Sequence, residues 1–260
     1  MRLFEKIDFH VHTCQSPCAR PEMTVADIAE RARRVGCEQI GLADHIFQPS
    51  DVGRITANSH SVLAQVERSP RFYVGCEVCL VRPGVLAADI GLLREAEFVL
   101  VAPNHFHLGT VATPPDLTPR GLASYWLDLI ASISEMRGVH AIAHPYRLGT
   151  YNAALGGRSI MELCPADRFE SCIRRLAERH IALELRSPED ATVGFDQHVD
   201  FYRRCAQLGV KLLVGSDAHW LASIGTTQRL APLIQAAGIS DAQLWLPPGT
   251  PHPPRDYLCR

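Results

Sequence analysis

The sequence contains no run approaching the roughly 20 consecutive apolar residues that a membrane-crossing helix requires, which argues against a membrane protein. The opening segment MRLFEKIDFHVHT has neither the apolar core nor the small-residue cleavage site of a secretory signal, so a cytoplasmic protein is expected. Charge of one sign is also missing. A formal net charge of -2 gives no general attraction to nucleic acid or to an anionic membrane surface, and long nucleic acid is disfavoured as a partner. No glycine-rich loop follows the first strand candidate, which removes support for dinucleotide or P-loop chemistry. Lysine is nearly absent, at Lys6 and Lys211 alone. The nine cysteines lack a pattern: most sit inside apolar segments such as YVGCEVCL, as buried thiols do, and the single CxxxC of Cys14 and Cys18 has no second pair to complete a zinc knuckle.

What is present is a repeat of short β-rich runs and amphipathic stretches, from KIDFHVHT and VADIAERARRVG to KLLVGSDAHW and SIGTTQRLAPLIQAAG. Seven strand candidates fall near residues 6–13, 39–45, 72–81, 97–103, 139–144, 181–186 and 211–217. The segments between them are long enough for crossover helices. Seven such units suggest an α/β barrel occupying residues 1–245 as a single domain, with the proline-rich 246–260 as an irregular tail.

The twelve histidines are the unusual count, because several fall at the ends of the apolar runs. In a parallel barrel the C-terminal strand ends collect the functional side chains. Here those ends carry His10 and His12, then Asp44 and His45, Glu77, His105 and His107, His144, and finally Asp217 and His219. The period of two along a strand turns His10 and His12 to one side, as two ligands of one ion require. A single histidine at a strand end is ordinarily a core or surface side chain. Burying at least six of them with three acids in one place would be costly unless metal ions resolved the conflict.

The motifs DFHVHT, GLADH, GCE, NHFH, IAHP and GSDAH also stand in the order of those of the polymerase-and-histidinol-phosphatase (PHP) superfamily, which the chain resembles over residues 6–220. The resemblance implies a distorted (β/α)7 TIM-like barrel and a phosphoesterase with a di- or trinuclear site of Zn, Mn or Fe. It implies a first metal on His10, His12, Glu77 and Asp217, with Glu77 bridging to a second on His105 and His144. A third would take His45 and His219. The remaining ligand of that third site is usually a histidine or acid, and this chain has Cys18 there. Cys18 either ligates as a thiolate, favouring a softer ion such as zinc, or leaves the third site weak or empty. His107 competes with His105 for the fourth strand's ligand. The alignment favours His105, leaving His107 as a pocket wall or substrate contact. Asp44 is expected to orient a ligand or to exchange a proton, His219 to move the proton, and Arg147 and Arg186 to meet phosphate oxygens. His60, His140, His180, His198 and His252 read as structural or surface residues.

The expected reaction is attack of a metal-bound hydroxide on a small phosphorylated substrate, a phosphomonoester or short phosphodiester. An amidohydrolase-type C–N hydrolase is the nearest alternative. Its common carboxylated-lysine bridge has no candidate here, because both lysines precede their strands. A non-catalytic metal-binding regulatory protein is the other.

Overall fold

Seven strands run parallel in chain order and wrap into a nearly closed barrel with helices outside. The computed structural model describes residues 2–65, 69–187 and 193–249. Its strands are β1 (Ile7–Val11), β2 (Gln39–Ile46), β3 (Arg71–Arg82), β4 (Val85–Leu86), β5 (Val99–Ala102), β6 (Ala141–Ile142), β7 (Ala182–Leu185) and β8 (Leu212–Val214). The sheet order is β1-β2-β3-β5-β6-β7-β8, with β4 folded back antiparallel on β3. The seam between the first and last strands is drawn together by His12 N–H donating to the Ala218 carbonyl at 2.9 Å and Ala218 N–H to the His10 carbonyl at 3.2 Å. All seven barrel strands fall where the alternating sequence pattern predicts them.

The crossovers are α1 (Val25–Val35), α2 (Gly53–Leu63), α3 (Pro119–Ser134), α4 (Ile160–Leu163), α5 (Ala166–Glu178) and α6 (Phe195–Gln207), with α7 (Ala231–Ala237) after the last strand. The cap signals are local. Thr24 accepts the Asp27 N–H to start α1, and Gly36, with φ of 75°, ends it in the left-handed conformation a side chain resists. One predicted crossover helix is corrected. Between β3 and β5 the chain turns at Pro83-Gly84, where Gly84 has φ of 80°, pairs β4 on β3, and makes only a 3₁₀ turn at Ile90–Leu93. Among the described residues no helix is long and apolar enough to cross a membrane. Residues 250–260 of the expected tail, including His252, lie outside the described residues.

The barrel is filled from below by aromatic side chains. Phe9 packs edge-on against Tyr73 and Trp245, and Trp245 against Phe98. Gly41 and Gly75 make room for this layer, since a Cβ on Gly75 would lie 2.5 Å from the Phe98 ring. A register shift between Asp8 and Val11 breaks the simple alternation of β1. Phe9 faces the aromatic floor and Val11 packs outward with Met23, Val25 and Ile28, while His10 and His12 both reach the polar end of the barrel. The floor leaves that end as the place where charged side chains gather.

Candidate metal centre

Glu77, carried by β3 and fully buried, lies at the middle of the cluster. Its two oxygens face different partners. Oε2 lies 3.5 Å from His10 Nε2 and 3.6 Å from His12 Nε2, and the Asp217 Oδ1 closes the same set at 3.5 and 3.2 Å from those nitrogens. Oε1 lies 2.8 Å from His144 Nε2 and 3.9 Å from His105 Nε2. The other three residues expected on a first ion and the two expected on a second are therefore brought to opposite oxygens of the Glu77 carboxylate.

His45 stands between groups. Its Nδ1 is 2.7 Å from Glu77 Oε2 without the geometry of a hydrogen bond, and its ring lies 4.3 Å from that of His12. His12, His45 and His219 offer a further set of donor atoms within 4.8 Å of one another. Cys18 reaches both His45 and His219 from an exposed turn. That turn is pinned on each side: the His45 N–H donates to Ser16 Oγ, and the Arg20 N–H to the His219 carbonyl.

The hydrogen bonds around the imidazoles set their tautomers. Ser16 Oγ donates to Asp44, so His12 Nδ1 donates to Ser16, and His10 Nδ1 donates to a carboxylate oxygen of Glu184 at 2.7 Å. Both residues then present Nε2, and these two nitrogens lie 3.1 Å apart. Two lone pairs facing across that distance repel unless a cation sits between them, so this donor set fits a metal ion. Without one, protons do the work. Burial would lower His10, but Glu184, Asp217 and Glu77 outweigh it and hold it well above its ordinary value. His45 is carried against its burial to about 10 by Glu77, while burial and the neighbouring His45 push His12 down to about 3. Burial would raise Glu77 and Asp217, yet the histidines around them hold both well below the usual carboxylate range.

Two ligand candidates, His144 and Asp217, have φ of 35° and 56°, a region costly for residues other than glycine. Asn104 clasps the first of these turns by donating to the carbonyls of His144 and Arg147. His107 is exposed at the rim, and His105 is the member of the pair turned to Glu77. Asp44 does not face the cluster. It accepts from Thr13 N–H, Thr13 Oγ1, Ser16 Oγ and Asn58 Nδ2 at 2.6–2.7 Å, so of its two expected roles these contacts support orienting a ligand, through Ser16 and His12, and not moving a proton. Arg186 is buried beside the cluster, with Nη1 3.4 Å from Asp217. Arg147 is half-buried in the turn after His144. A cavity of about 430 Å³ opens here, lined by Arg186, Ser187, Asp217, His219, Trp220 and Thr227 among others. Of the histidines read as structural, His198 is buried against the Arg186 carbonyl at 3.0 Å and His140 accepts the Val99 N–H.

The sequence reading passed over Glu184, on β7, which is fully buried. Its only sequence signal is an acid in the middle of the apolar run ALEL, two residues before Arg186.

No family model matches the chain. A protein of Syntrophotalea carbinolica named "probable phosphatase" is 26% identical over 243 residues, covering 92% of this chain and 90% of its own length. The solved structure of a Listeria monocytogenes protein, titled the "putative histidinol phosphatase hisK", superposes with a TM-score of 0.57 at 11% identity, over 85% of this chain and 97% of that one. The fold is thus the TIM-like barrel of PHP type, and the resemblance read from the motifs is borne out.

Proposed function

We propose that this chain hydrolyses phosphate esters, either phosphomonoesters or short phosphodiesters, at a centre of two or three divalent ions drawn from Zn, Mn and Fe. The observation that carries the proposal is the buried Glu77, whose oxygens face His10, His12 and Asp217 on one side and His144 and His105 on the other. Bound there, the ions would lower the pKa of a water and draw charge from the phosphoryl oxygens. The chain's own residues do the rest. Glu77 holds the two ligand sets at a common distance. Arg186, fixed beside Asp217, offers guanidinium N–H groups to a phosphate at the mouth of the cavity. His219, half-buried on the same wall, is placed to hand a proton to a leaving alkoxide when the third ligand set holds no ion. The cavity is of a size for a small substrate. The names of the two relatives agree with this chemistry. The amidohydrolase alternative is not favoured: Lys6 pairs with Glu38 at the surface, and Lys211 is exposed, so neither reaches the cluster.

The test is a panel of phosphomonoesters, phosphodiesters and amides, assayed with untagged wild-type protein and with Glu77→Gln. Phosphate-ester cleavage by the wild type should fall at least about 100-fold in the variant, because loss of an outer-shell partner alone costs about 10–100-fold. A variant that keeps full activity, or a wild type that cleaves only amides, would contradict the proposal.

A further inference from the structure

Glu184 touches both ligand sets while facing neither ion position. Its Oε1 accepts from His10 Nδ1 at 2.7 Å, and its Oε2 accepts from the His144 backbone N–H at 2.6 Å. His10 belongs to the set on one oxygen of Glu77, and His144 to the set on the other. The two contacts do different things. The first fixes the His10 ring with its Nε2 toward Asp217 and Glu77. The second holds a backbone that a histidine does not adopt by preference, at φ of 35°. Neither bond has slack. Tyr202 Oη donates to the Glu184 carbonyl at 2.8 Å, and Arg186 Nη1 stands 3.8 Å from Oε1. On the far side is Gly215, where a Cβ would lie 2.5 Å from His10 Cβ and 2.6 Å from Glu184 Oε1, so the residue following β8 carries no side chain and admits this pair.

A carboxylate kept only for stability is a poor explanation, because desolvating a fully buried acid offsets what its pairing returns. We propose that Glu184 is a positioning residue that ties the two ligand sets together, so that ions bound at them are retained or lost as a pair. The inference rests on the metal-centre reading above. If His144 swings away, the carboxylate loses one anchor and His10 its fixed orientation; if His10 turns, the strained His144 turn loses its acceptor.

Zinc-loaded wild type, Glu184→Gln and Glu184→Ala are titrated with a chelator, and the zinc retained per chain is read by elemental analysis, with thermal melting to confirm folding. Wild type should release its paired ions in one transition. Glu184→Ala, which removes the tie, should lose its zinc at about 10–100-fold lower chelator, the usual cost of an outer-shell partner, and in separate transitions. Glu184→Gln is nearly isosteric and decides the matter should the alanine variant fail to fold. Its amide oxygen can still accept from His144, but its N–H group then faces His10 Nδ1 and drives the proton onto Nε2, so the single transition should split. A folded Glu184→Gln that keeps all its zinc to the wild-type chelator concentration overturns the coupling and leaves the metal centre standing. A wild type that takes up none of zinc, manganese or iron on reconstitution overturns the metal centre itself.

Discussion

The Cys18 thiol stands at the mouth of the cluster where the motif pattern has a histidine or an acid. Its partial burial would raise it, but hydrogen bonds with His219 and His45 outweigh that and bring it down from an ordinary 9.0 to about 6. A thiol reacts with alkylating agents as the thiolate, so in metal-free protein the labelling rate of Cys18 should rise with pH through about 6 and be near its plateau at neutral pH. Cys164 and Cys172, which burial pushes up to about 12, should stay unlabelled there. Peptide mass spectrometry reads both. Zinc should slow the Cys18 reaction if the thiolate is a ligand; labelling indifferent to zinc would leave the third set with histidines only. At this scale the sequence is uneven evidence. His10, His12, His45, His144 and Asp217 were legible because each ends an apolar run with a metal-binding side chain, and Glu77 because its GCE stands in order with the other motifs. Glu184 was not, since one acid within ALEL reads as the outward position of an alternating strand. The sequence left Asp44 between two roles, because the choice depends on Thr13, Ser16 and Asn58, which only the fold assembles around it.

Among elements, β3 carries the most. It holds Glu77 at one height and, two residues earlier, Gly75, whose missing side chain lets Phe98 cross the barrel floor. A methyl group at Gly75 would lie 2.5 Å from the Phe98 ring and 2.6 Å from its backbone oxygen, and the latter cannot swing aside. Gly75→Ala should therefore cost about 1–3 kcal/mol or more, as overpacked cores do. Thermal melting should show a drop of several degrees, and an unchanged midpoint would mean that the floor is more yielding than its packing implies. The strands were legible because they are short apolar runs with β-branched residues and clear boundaries. The hairpin of β4 was not, although Pro83-Gly84 is a turn signal, because the length of the segment between β3 and β5 invited a helix.

The whole molecule divides its interior into an aromatic floor and a polar mouth. Phe9, Tyr73, Phe98 and Trp245 close one end of the barrel, and the carboxylates and imidazoles occupy the other. Composition showed no apolar run long enough for a membrane-crossing helix and disfavoured a general nucleic-acid surface, but it could not show which oxygen of Glu77 faces which histidine. The buried Glu77, with imidazoles gathered at both of its oxygens, is the strongest physical reason to place cations at that mouth. The most direct measurement is therefore phosphate release from phosphomonoesters by chelated, dialysed protein as manganese or zinc is returned. The account predicts no release from the metal-free chain and a rise that saturates when elemental analysis finds two or three ions per chain. Release that persists unchanged after the ions have been stripped would contradict it.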